Sequence, residues 1–474
     1  MIDFSDFASA ERVFHFFLEI SKIPRGSGNT AAIAEYLVNF ANERGLSVMR
    51  DGADNVVIRK PATKGYEGRP GIILQGHTDI VAVKTPESTI DLEKDGLDVY
   101  RDGDFLRARG TSLGGDDGVA VAYALAILDS DDIPHPEFEA VFTSDEEIGL
   151  LGATALEASA IRGRMMINVD SDEEGIFTVG CAGGIRVDLS LPVVREAYTG
   201  AFYKIAIQGL LGGHSGIDID KGRANAIKIL TEILAKLGDV RIASISGGVA
   251  DNAIPTEAEA IIATGASVAD AFEKARAEML KKWQNTESGL DISITEAEPS
   301  LTVFDKHTTE SAIKLILDEP SGVIAMSEDI PGLVETSLNL GLLSSNDNEV
   351  ALGFSIRSAK NSAKDALISL VEKTAAGFGA SSEKRGAYPA WEYRKDSSLR
   401  DKMCEIYEKM YGRAPKVVTI HAGLECGIFS DKLEGLDCVS LGPDNRDIHT
   451  TGEHLSISST ARVYEYLIEI LKNI

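Results

Sequence analysis

The sequence predicts an α/β fold: a mixed, mostly parallel sheet flanked by helices, into which a separate α+β module is inserted. From residue 1 to about 186, helical patterns alternate with short apolar strands, as in a parallel sheet covered by helices. Near Leu189 the pattern changes to two strand-helix-strand sets, and after about residue 380 the first pattern returns. We therefore predict a main domain formed by residues 1–186 and 381–474, and an inserted α+β domain over residues 187–380.

The first part of the main domain begins with a helix and continues with buried strands. Apolar residues recur at roughly helical spacing from Phe4 to Ile20, which predicts an amphipathic helix rather than a signal peptide. A second helix is predicted to begin near Val119, directly after a glycine-rich loop. Short apolar runs bounded by turn residues predict strands at 71–75, 139–143 and 165–169.

The inserted domain and the second part of the main domain follow the same reasoning. In the insertion we predict strands at 203–208, 239–245, 257–264, 290–296, 333–341 and 348–357. The predicted helices of the insertion lie at 221–237, 268–283, 306–318 and in a segment ending near 377. In the second part of the main domain we predict a helix at 398–411, strands at 416–420 and 437–441, and a terminal helix from 456. Because open α/β sheets bind ligands at the carboxyl ends of their strands, residues that follow the main-domain strands are the candidates for a site.

The composition is that of ordinary globular material and excludes several classes of partner. With 47 basic against 74 acidic residues the formal net charge is −27, a field that repels nucleic acid and anionic lipid. The sequence contains no run of about 18 uncharged apolar residues, so we expect no membrane anchor. The four cysteines lie far apart with no Cys-x-x-Cys pair, which indicates neither a disulfide framework nor a zinc knuckle. A reducing cytoplasm is the expected location.

The first motif, Gly76-His77-Thr78-Asp79, follows the predicted strand at 71–75. His77 and Asp79 would therefore lie at the carboxyl end of that strand, where a ligand is expected. A His-x-Asp pair by itself is usually an ordinary polar pair on the surface or in the core. Its significance here comes from three further acidic motifs and a late histidine.

The second motif is a glycine-rich loop from Gly110 to Gly118, which contains Asp116 and Asp117 and runs into the predicted helix. Its glycines permit positive φ angles and a close backbone approach. Glycine-rich loops before helices also bind phosphate, but two aspartates at the ligand end would repel an anion and suit a cation. Taken alone, the loop would be interpreted as structural.

The third and fourth motifs also place acidic residues directly after predicted strands. Glu146 and Glu147 follow the strand at 139–143, and adjacent glutamates point in different directions, so one can bind metal while the other stays free. Asp170 follows the strand at 165–169. A single glutamate pair is usually solvated surface charge, but acidic residues at three strand ends indicate a common site.

The histidines decide which metal such a site would favour. Carboxylates alone would suit magnesium or calcium, whereas carboxylates together with imidazole favour zinc or another transition metal. His449 follows the strand at 437–441 by a short loop, and could either return to the same sheet edge or be an ordinary loop histidine. His421 and Glu425 also follow a strand and could contact substrate or hold the loop. We expect no role for three other histidines: His15, His135 and His307.

Taken together, the motifs resemble those of the cytosolic aminoacyl-histidine dipeptidases. These are a branch of the two-zinc metallopeptidases that also contains carnosinases, tripeptidases and related deacylases. The likeness covers nearly the full length, and CAGG, GGHSG and HAGLECG are the motifs that point to the dipeptidase branch. The motifs occur in this order: QGHTDIV, ARGTSLGGDDGV, SDEEIG, NVDSDEEG, CAGG, GLLGGHSG, NAIP, VETSLN, HAGLECG and IHTTGE.

The resemblance implies a set of metal ligands. Asp116 would bridge two metal ions, with His77 and Asp170 completing one site and Glu147 and His449 the other. Zinc is the favoured metal, with cobalt or manganese as alternatives.

The resemblance also implies roles for the neighbouring residues. Asp79 would orient His77, and Glu146 would be the general base. The peptide bond after the bridging aspartate would be cis, between Asp116 and Asp117. The family often carries asparagine at the position of Asp117, so the resemblance gives this side chain no role.

For substrate binding, the resemblance implies residues of the inserted domain, which would act as a lid or dimerisation domain. His214 would donate to the oxyanion from a closed or dimeric interface. Arg357 and Asn252 are candidates for binding a substrate carboxylate. The alternative is that Arg357 is an exposed arginine after a strand and Asn252 a turn residue.

The resulting hypothesis is a metal-dependent dipeptidase that hydrolyses unblocked dipeptides, with Xaa-His as the expected substrate class. The alternatives are an N-acyl amino acid deacylase or a broader di- and tripeptidase with the same two-metal site, and a non-catalytic metal or peptide binding protein. We further expect a small peptide as the partner, a cytoplasmic location and a homodimer.

Overall fold

In the computed structural model, which describes residues 2–328 and 330–474, the chain divides into two units. Unit 1 comprises Met1–Cys181, Tyr393–Ile420 and Leu424–Ile474, and unit 2 comprises Ala182–Glu392 and His421–Gly423. Unit 2 extends beyond the predicted insertion at both ends because the strands over Gly183–Pro192 and Ser381–Tyr388 pair with each other in its sheet.

Each predicted helix is present, although the one predicted at 221–237 covers only Ala226–Leu234, and the helices over Ala31–Glu43, Leu151–Ala155 and Glu425–Lys432 have no counterpart among the predictions. Short 3-10 helices cover Ser5–Ala10, Ala158–Ala160 and Ile219–Lys221. The α-helices are α1 (Glu11–Ile20), α2 (Ala31–Glu43), α3 (Gly115–Asp129), α4 (Leu151–Ala155), α5 (Ala226–Leu234), α6 (Ala269–Trp283), α7 (Lys306–Asp318), α8 (Asn361–Gly377), α9 (Ser398–Tyr411), α10 (Glu425–Lys432) and α11 (Ile457–Asn473).

The strands outnumber those that the sequence predicts, and the additional ones include both short edge strands, such as Ser47–Arg50, and interior strands, such as Val56–Lys60 and Ile176–Cys181. They are β1 (Ser47–Arg50), β2 (Val56–Lys60), β3 (Ile72–His77), β4 (Val99–Asp102), β5 (Phe105–Ala108), β6 (Phe138–Thr143), β7 (Met165–Asn168), β8 (Ile176–Cys181), β9 (Gly183–Pro192), β10 (Arg195–Ala197), β11 (Ala201–Gln208), β12 (Gly213–His214), β13 (Val240–Gly247), β14 (Ala253–Ile254), β15 (Ala258–Thr264), β16 (Asp291–Glu296), β17 (Thr302–Phe304), β18 (Gly322–Met326), β19 (Val334–Ser345), β20 (Glu349–Ser358), β21 (Ser381–Tyr388), β22 (Lys416–Ile420), β23 (Asp437–Ser440), β24 (Asn445–Arg446) and β25 (His454–Ser456).

Unit 1 is built on an eight-stranded mixed sheet in the order β1-β2-β6-β3-β7-β23-β8-β22. The central strands β6, β3, β7 and β23 run parallel, and β22 runs parallel to β8. Every residue of β3 and β6 is buried, as expected for strands with both faces covered by helices. The predicted fold class, a mixed and mostly parallel α/β sheet, is confirmed.

A second, four-stranded sheet in unit 1 has the order β24-β25-β5-β4. The antiparallel pair β24 and β25 encloses the loop of residues 447–453, which carries His449. Because β25 also pairs with β5, both ends of this loop are anchored in the sheet.

Unit 2 contains a nine-stranded antiparallel sheet in the order β16-β11-β15-β13-β19-β20-β9-β21, with β18 paired to β19. Helices α5 to α8 supply apolar side chains to a core that unit 2 forms by itself. An antiparallel sheet packed against helices is an α+β arrangement, the class that the sequence predicts for the insertion.

Several helices begin at a side-chain cap. A capping side chain accepts a hydrogen bond from a backbone N–H of the first turn and satisfies a group that the helix leaves unpaired. The caps of this kind are Asn225 for α5, Asp305 for α7, Ser397 for α9 and Ser456 for α11. Among the described residues, none of the helices combines the length and apolarity that a membrane crossing requires.

Candidate metal centre

His77 is the last residue of β3, and its side chain is 1% exposed. Nδ1 lies 3.0 Å from the backbone oxygen of Asp79, to which a neutral imidazole donates. In the neutral ring this hydrogen bond would leave Nε2 without a proton and able to bind a metal ion. Nε2 lies 3.0 Å from Oδ1 of Asp116 and 3.9 Å from Oδ1 of Asp170.

Asp116 contacts a second histidine through its other carboxylate oxygen. Oδ2 of Asp116 lies 3.2 Å from Nε2 of His449, and the same nitrogen lies 2.9 Å from Oε1 of Glu147. One carboxylate is thus shared between two histidines that lie 372 positions apart in the chain (449 − 77).

Among the residues that the structure describes, three groups of side chains bring possible ligand atoms within 4.8 Å of one another, and two of the groups share Asp116. Each group combines imidazole with carboxylate, the donor set that suits zinc and other transition metals. The groups are His77 with Asp116 and Asp170, Asp116 with Glu147 and His449, and His77 with Glu146 and Glu147.

The elements of unit 1 place these residues at strand ends and in two loops. Glu147 and Asp170 follow β6 and β7, and His449 lies in the loop between β24 and β25. Asp116 lies at the start of α3, where non-helical dihedral angles occur at Asp116 and Asp117. The peptide bond between these two residues is cis, as the resemblance predicts.

Residues of the loops that carry these side chains hold a left-handed backbone conformation, which is uncommon for residues other than glycine. Asp145 has φ of +50°, and His449 has φ of +62°. Such conformations cost free energy and persist only where neighbouring contacts hold them. For Asp145 one such contact is the backbone N–H of Gly28, which donates to Oδ1 at 2.6 Å.

Asp79 connects the first motif with the third. Its Oδ1 lies 3.5 Å from Nδ1 of His77 and accepts the backbone N–H of Glu146 at 2.9 Å. Its Oδ2 accepts the backbone N–H of Glu147 at 3.3 Å and the Ser27 hydroxyl at 2.8 Å. The carboxylate therefore contacts the ring of His77 and holds the backbone of Glu146 and Glu147.

The pKa shifts in the cluster follow from burial and from the close pairing of imidazole with carboxylate. Hydrogen bonds to Asp116 and Glu147 raise the pKa of His449 to about 10. Burial opposes the charged form of Asp116, but the hydrogen bonds with His449 and His77 lower its pKa below the usual range. Burial likewise opposes the charged form of His77, but Asp116 and Asp79 raise its pKa well above the usual value. The carboxylates thus create a site that favours positive charge.

Glu146 stands in a different environment from its neighbour Glu147. Burial raises the pKa of Glu146 to about 8, with contributions from the carboxylates of Glu425, Glu147 and Asp116, although His77 opposes the shift. A carboxylate with a raised pKa can accept a proton near neutral pH and release it again. Positive charge bound beside it would lower this pKa.

Asp117 does not join any of the three ligand groups, although it adjoins Asp116. It is 1% exposed, and its Oδ2 accepts the backbone N–H of His77 at 3.2 Å. Burial, together with the nearby charge of Asp116, raises its pKa well above the usual range, while His77 opposes the shift. The side chain thus supports the end of β3.

Glu425 is fully buried at the start of α10. Its Oε2 accepts hydrogen bonds from Gln75 Nε2 and Thr143 Oγ1, both at 2.6 Å, and so connects the ends of β3 and β6. Of the two roles that the sequence left open, this placement favours holding the loop over contacting substrate.

Unit 2 brings together three of the residues predicted to bind substrate. Nδ1 of His214 accepts the backbone N–H of Gly216 at 3.1 Å, so the proton of the neutral ring lies on Nε2. Burial and the guanidinium of Arg357 lower the pKa of His214, and the same two causes lower that of His421 to about 4. Asn252 is exposed, and its backbone oxygen accepts the N–H of Ser215 at 2.8 Å.

Arg357 and His421 are held by neutral side chains of unit 2. Nη1 of Arg357 donates to the Tyr388 hydroxyl at 3.0 Å. Nε2 of His421 lies 2.7 Å from the Ser337 hydroxyl. The guanidinium of Arg357 thus places a positive charge beside two neutral imidazoles.

Sequence reasoning missed three residues that contact the centre's backbone or carboxylates: Arg25, Ser27 and Glu453. Glu453 lay within a motif that was quoted for the resemblance but received no role. Arg25 and Ser27 lie in a short segment before α2 that has no apolar pattern. Their partners are 52 to 89 residues away in the chain, so no local signal could have identified them.

Residues 73–473 match the sequence model of Peptidase family M20/M25/M40. The chain is 37% identical over 479 residues to the cytosol non-specific dipeptidase of Escherichia coli K12, with 98% of each chain covered.

Two solved structures extend these comparisons. The crystal structure of an aminoacylhistidine dipeptidase from Vibrio alginolyticus matches with a TM-score of 0.93 at 34% identity, covering 98% of each chain. That of aminopeptidase PepT from Bacillus cereus matches with a TM-score of 0.58 at 19% identity over 98% of each chain, a likeness of fold alone.

Proposed function

This chain belongs to Peptidase family M20/M25/M40, and from that premise we propose that it is a metal-dependent dipeptidase acting on unblocked dipeptides, with Xaa-His as the favoured class. The observation that carries the proposal is the carboxylate of Asp116, whose two oxygens face His77 and His449 in separate ligand groups. Full-length similarity to two proteins named as dipeptidases supports the same activity.

We propose that Asp116 bridges two divalent ions. One would be held by His77 and Asp170, and the other by Glu147 and His449. The mixture of imidazole and carboxylate fits zinc, and cobalt or manganese would also be accepted. When bound, the ions would supply Lewis-acid polarisation of the scissile carbonyl and a lowered pKa for the attacking water.

The protein's own residues would then transfer the proton and hold the metal-binding side chains in place. Glu146 would take a proton from the water and deliver it to the leaving amine. Asp79 would keep Nε2 of His77 directed at the ion by holding the Nδ1 side of the ring. The backbone hydrogen bonds from Glu146 and Glu147 to Asp79 would keep these two glutamates in register with His77.

For unit 2 we propose a substrate-binding role for the cluster of His214, Arg357 and His421, with Asn252 beside it. Arg357 supplies positive charge, and the Nε2–H of His214 is a neutral donor. A cation beside neutral imidazoles suits a peptide carboxylate or a developing oxyanion. We assign Glu425 to holding the loop.

The experiment that tests the proposed function is a substrate panel on chelator-stripped and metal-restored protein. We expect hydrolysis of free dipeptides only after metal is restored, with Xaa-His dipeptides among the fastest. Faster cleavage of N-acetylated dipeptides would instead identify a deacylase, because a pocket built for a free amine desolvates an amide poorly. Similar rates for tripeptides would indicate a broader peptidase. Metal binding without turnover of any peptide would identify a binding protein.

The same preparation would address the remaining proposals. Metal analysis of protein purified without added ions would identify the native metal, for which we propose zinc. Light scattering would test the proposed homodimer. We propose a cytoplasmic location because the Escherichia coli relative is named a cytosol enzyme.

A further inference from the structure

The loop before α3, which carries Asp116, is held by a carboxylate from a distant part of the chain. Oε2 of Glu453 accepts the backbone N–H groups of Leu113 and Gly114, both at 2.8 Å. Its Oε1 accepts those of Gly115 at 2.8 Å and Asp116 at 3.2 Å. Glu453 is 3% exposed, so a single buried carboxylate satisfies four successive N–H groups.

The same hydrogen bonds connect two ligand-bearing loops. Glu453 lies four residues after His449, in the loop between β24 and β25. The donors lie immediately before and at Asp116. Glu453 thus joins the loop of His449 to the loop of Asp116, although its carboxylate is outside all three ligand groups.

A buried cation holds the opposite side of the same loop. Arg25 is 2% exposed, and its Nη2 donates to the backbone oxygen of Gly114 at 2.7 Å. Its Nη1 donates to the backbone oxygen of Thr78 at 2.9 Å, between His77 and Asp79. Arg25 thus joins the end of β3, which carries His77, to the loop that carries Asp116.

The two residues are complementary in chemistry. The carboxylate of Glu453 can only accept hydrogen bonds, and it accepts them from the N–H groups of the loop. The guanidinium of Arg25 can only donate, and it donates to a carbonyl oxygen of the loop. The forked geometry of arginine allows it to bond two carbonyl oxygens of different segments at once, which a lysine ammonium does less well. Gly114 accepts from one and donates to the other, so the loop is fixed from both sides.

We propose that Glu453 and Arg25 are positioning residues, and that each sets the distance from Asp116 to one of the two histidines beside it. Glu453 sets the distance to His449, and Arg25 sets the distance to His77. The inference rests on the proposed two-ion site and adds that each ion's affinity depends on a different distant residue. Their effect passes through the backbone and involves no contact with substrate.

The test is a stepwise cobalt titration of metal-stripped protein against a competing chelator, followed by the visible absorption of the bound ion. Two reference variants identify the steps: His449→Ala removes a ligand of one site, and Asp170→Asn weakens the other. Glu453→Gln should weaken the step that His449→Ala removes by about 10- to 100-fold, and the other step by less than about threefold. Arg25→Lys should weaken the step that Asp170→Asn weakens, by a similar factor.

Matched controls are Glu434→Gln and Arg50→Lys, which change exposed residues of unit 1 by the same chemistry and should leave both steps unchanged. Circular dichroism establishes that each variant is folded. If Glu453→Gln does not fold, Glu453→Asp replaces it, since it keeps the charge but is too short to reach all four N–H groups. The same single step should then be weakened.

The outcomes separate this inference from the proposed function. If wild-type protein binds no cobalt in either step, the two-ion proposal fails. If wild-type protein binds two ions, but the two variants weaken both steps equally or neither step, the positioning roles are wrong while the two-ion site stands. If Glu453→Gln weakens only the step that His449→Ala removes, and Arg25→Lys weakens only the step that Asp170→Asn weakens, the results support the two-ion site and the positioning roles.

Discussion

At the scale of the residue, the chemistry of the candidate centre depends on how each carboxylate is surrounded. Asp116 lies between two histidines, which lower its pKa, whereas burial, together with neighbouring carboxylates, raises the pKa of Glu146. These environments accord with the different roles that we propose for the two residues, ligand for Asp116 and proton carrier for Glu146.

Glu146→Ala should separate these tasks. The variant loses the proposed proton carrier but keeps all five proposed metal ligands, so turnover of a dipeptide should fall by about 100- to 10,000-fold with metal content unchanged. Metal analysis and steady-state kinetics on one preparation measure both quantities. Glu434→Ala, an exposed change in the same unit, serves as the control. Unchanged turnover in Glu146→Ala would exclude this residue as the base.

A second residue-scale prediction concerns Glu319 in unit 2, which is 1% exposed and whose carboxylate oxygens have no hydrogen-bond partner among the described residues. Burial raises its pKa to about 7, partly offset by Lys228. Because the folded-state pKa lies above the unfolded-state value, the associated stability is present below about pH 4.5 and is lost as pH rises through about 7.

Glu319→Gln cannot ionise and should escape that loss. Relative to wild type, its free energy of unfolding should increase by on the order of 2–3 kcal/mol between pH 5 and pH 8. Urea denaturation at the two pH values, followed by fluorescence, measures the difference. Glu310→Gln, an exposed change on α7, should show the wild-type pH profile. An identical profile for Glu319→Gln would contradict the prediction.

At the scale of the element, the centre is assembled from the ends of parallel strands and from two loops that the strands do not position. The carboxyl ends of β3, β6 and β7 are adjacent because these strands are neighbours in the sheet. The loops carrying Asp116 and His449 need further contacts, which come from the sheet of β24 and β25 and from side chains such as Glu453.

At the scale of the element, we predict the stability cost of adding a side chain at Gly114, in the loop before α3. Its φ is +67°, and a Cβ there would lie 2.8 Å from Cγ2 of Ile80 and 2.9 Å from Nη2 of Arg25. Gly412, after α9, has φ of +68° with nothing within 4 Å of a Cβ. Gly412→Ala should therefore lower the free energy of unfolding by about 1–2 kcal/mol through backbone strain alone.

Gly114→Ala should cost more than its matched control, by a further 1–3 kcal/mol or so for the clash with packed neighbours. Chemical denaturation of metal-stripped protein measures both variants without a contribution from bound ions. Equal losses for the two variants would mean that Ile80 and Arg25 move aside at little cost.

At the scale of the whole molecule, each unit forms its own hydrophobic core. The proposed metal ligands all belong to unit 1, and the cluster of His214, Arg357 and His421 belongs to unit 2. Unfolding of such a chain need not be a single two-state transition, so the two units can respond separately to a ligand.

Metal removal should therefore lower the melting temperature of unit 1 more than that of unit 2. An ion present at about 1,000 times its Kd stabilises the folded form by about 4 kcal/mol. Differential scanning calorimetry with and without a chelator should show one transition moving down while the other stays in place. His449→Ala, with one proposed site damaged, should show a smaller shift. Equal shifts of all transitions would contradict the assignment of the ligands to one unit.

The sequence by itself determined the class of the fold and most of the strand ends at which acidic residues gather. Apolar runs and helical spacing are local properties, so β3, β6, β7 and the helices α7 and α9 could be predicted from them. The motifs that carry His77, Asp116 and Asp170 are local in the same sense.

Only the tertiary structure decided which distant residues meet. The shared contact of Asp116 with His77 and His449, the burial of Glu425, and the hydrogen bonds of Arg25 and Glu453 to one loop join segments tens to hundreds of residues apart. Such contacts follow from strand order and side-chain packing, which depend on the whole chain and leave no periodic trace in the sequence around each residue.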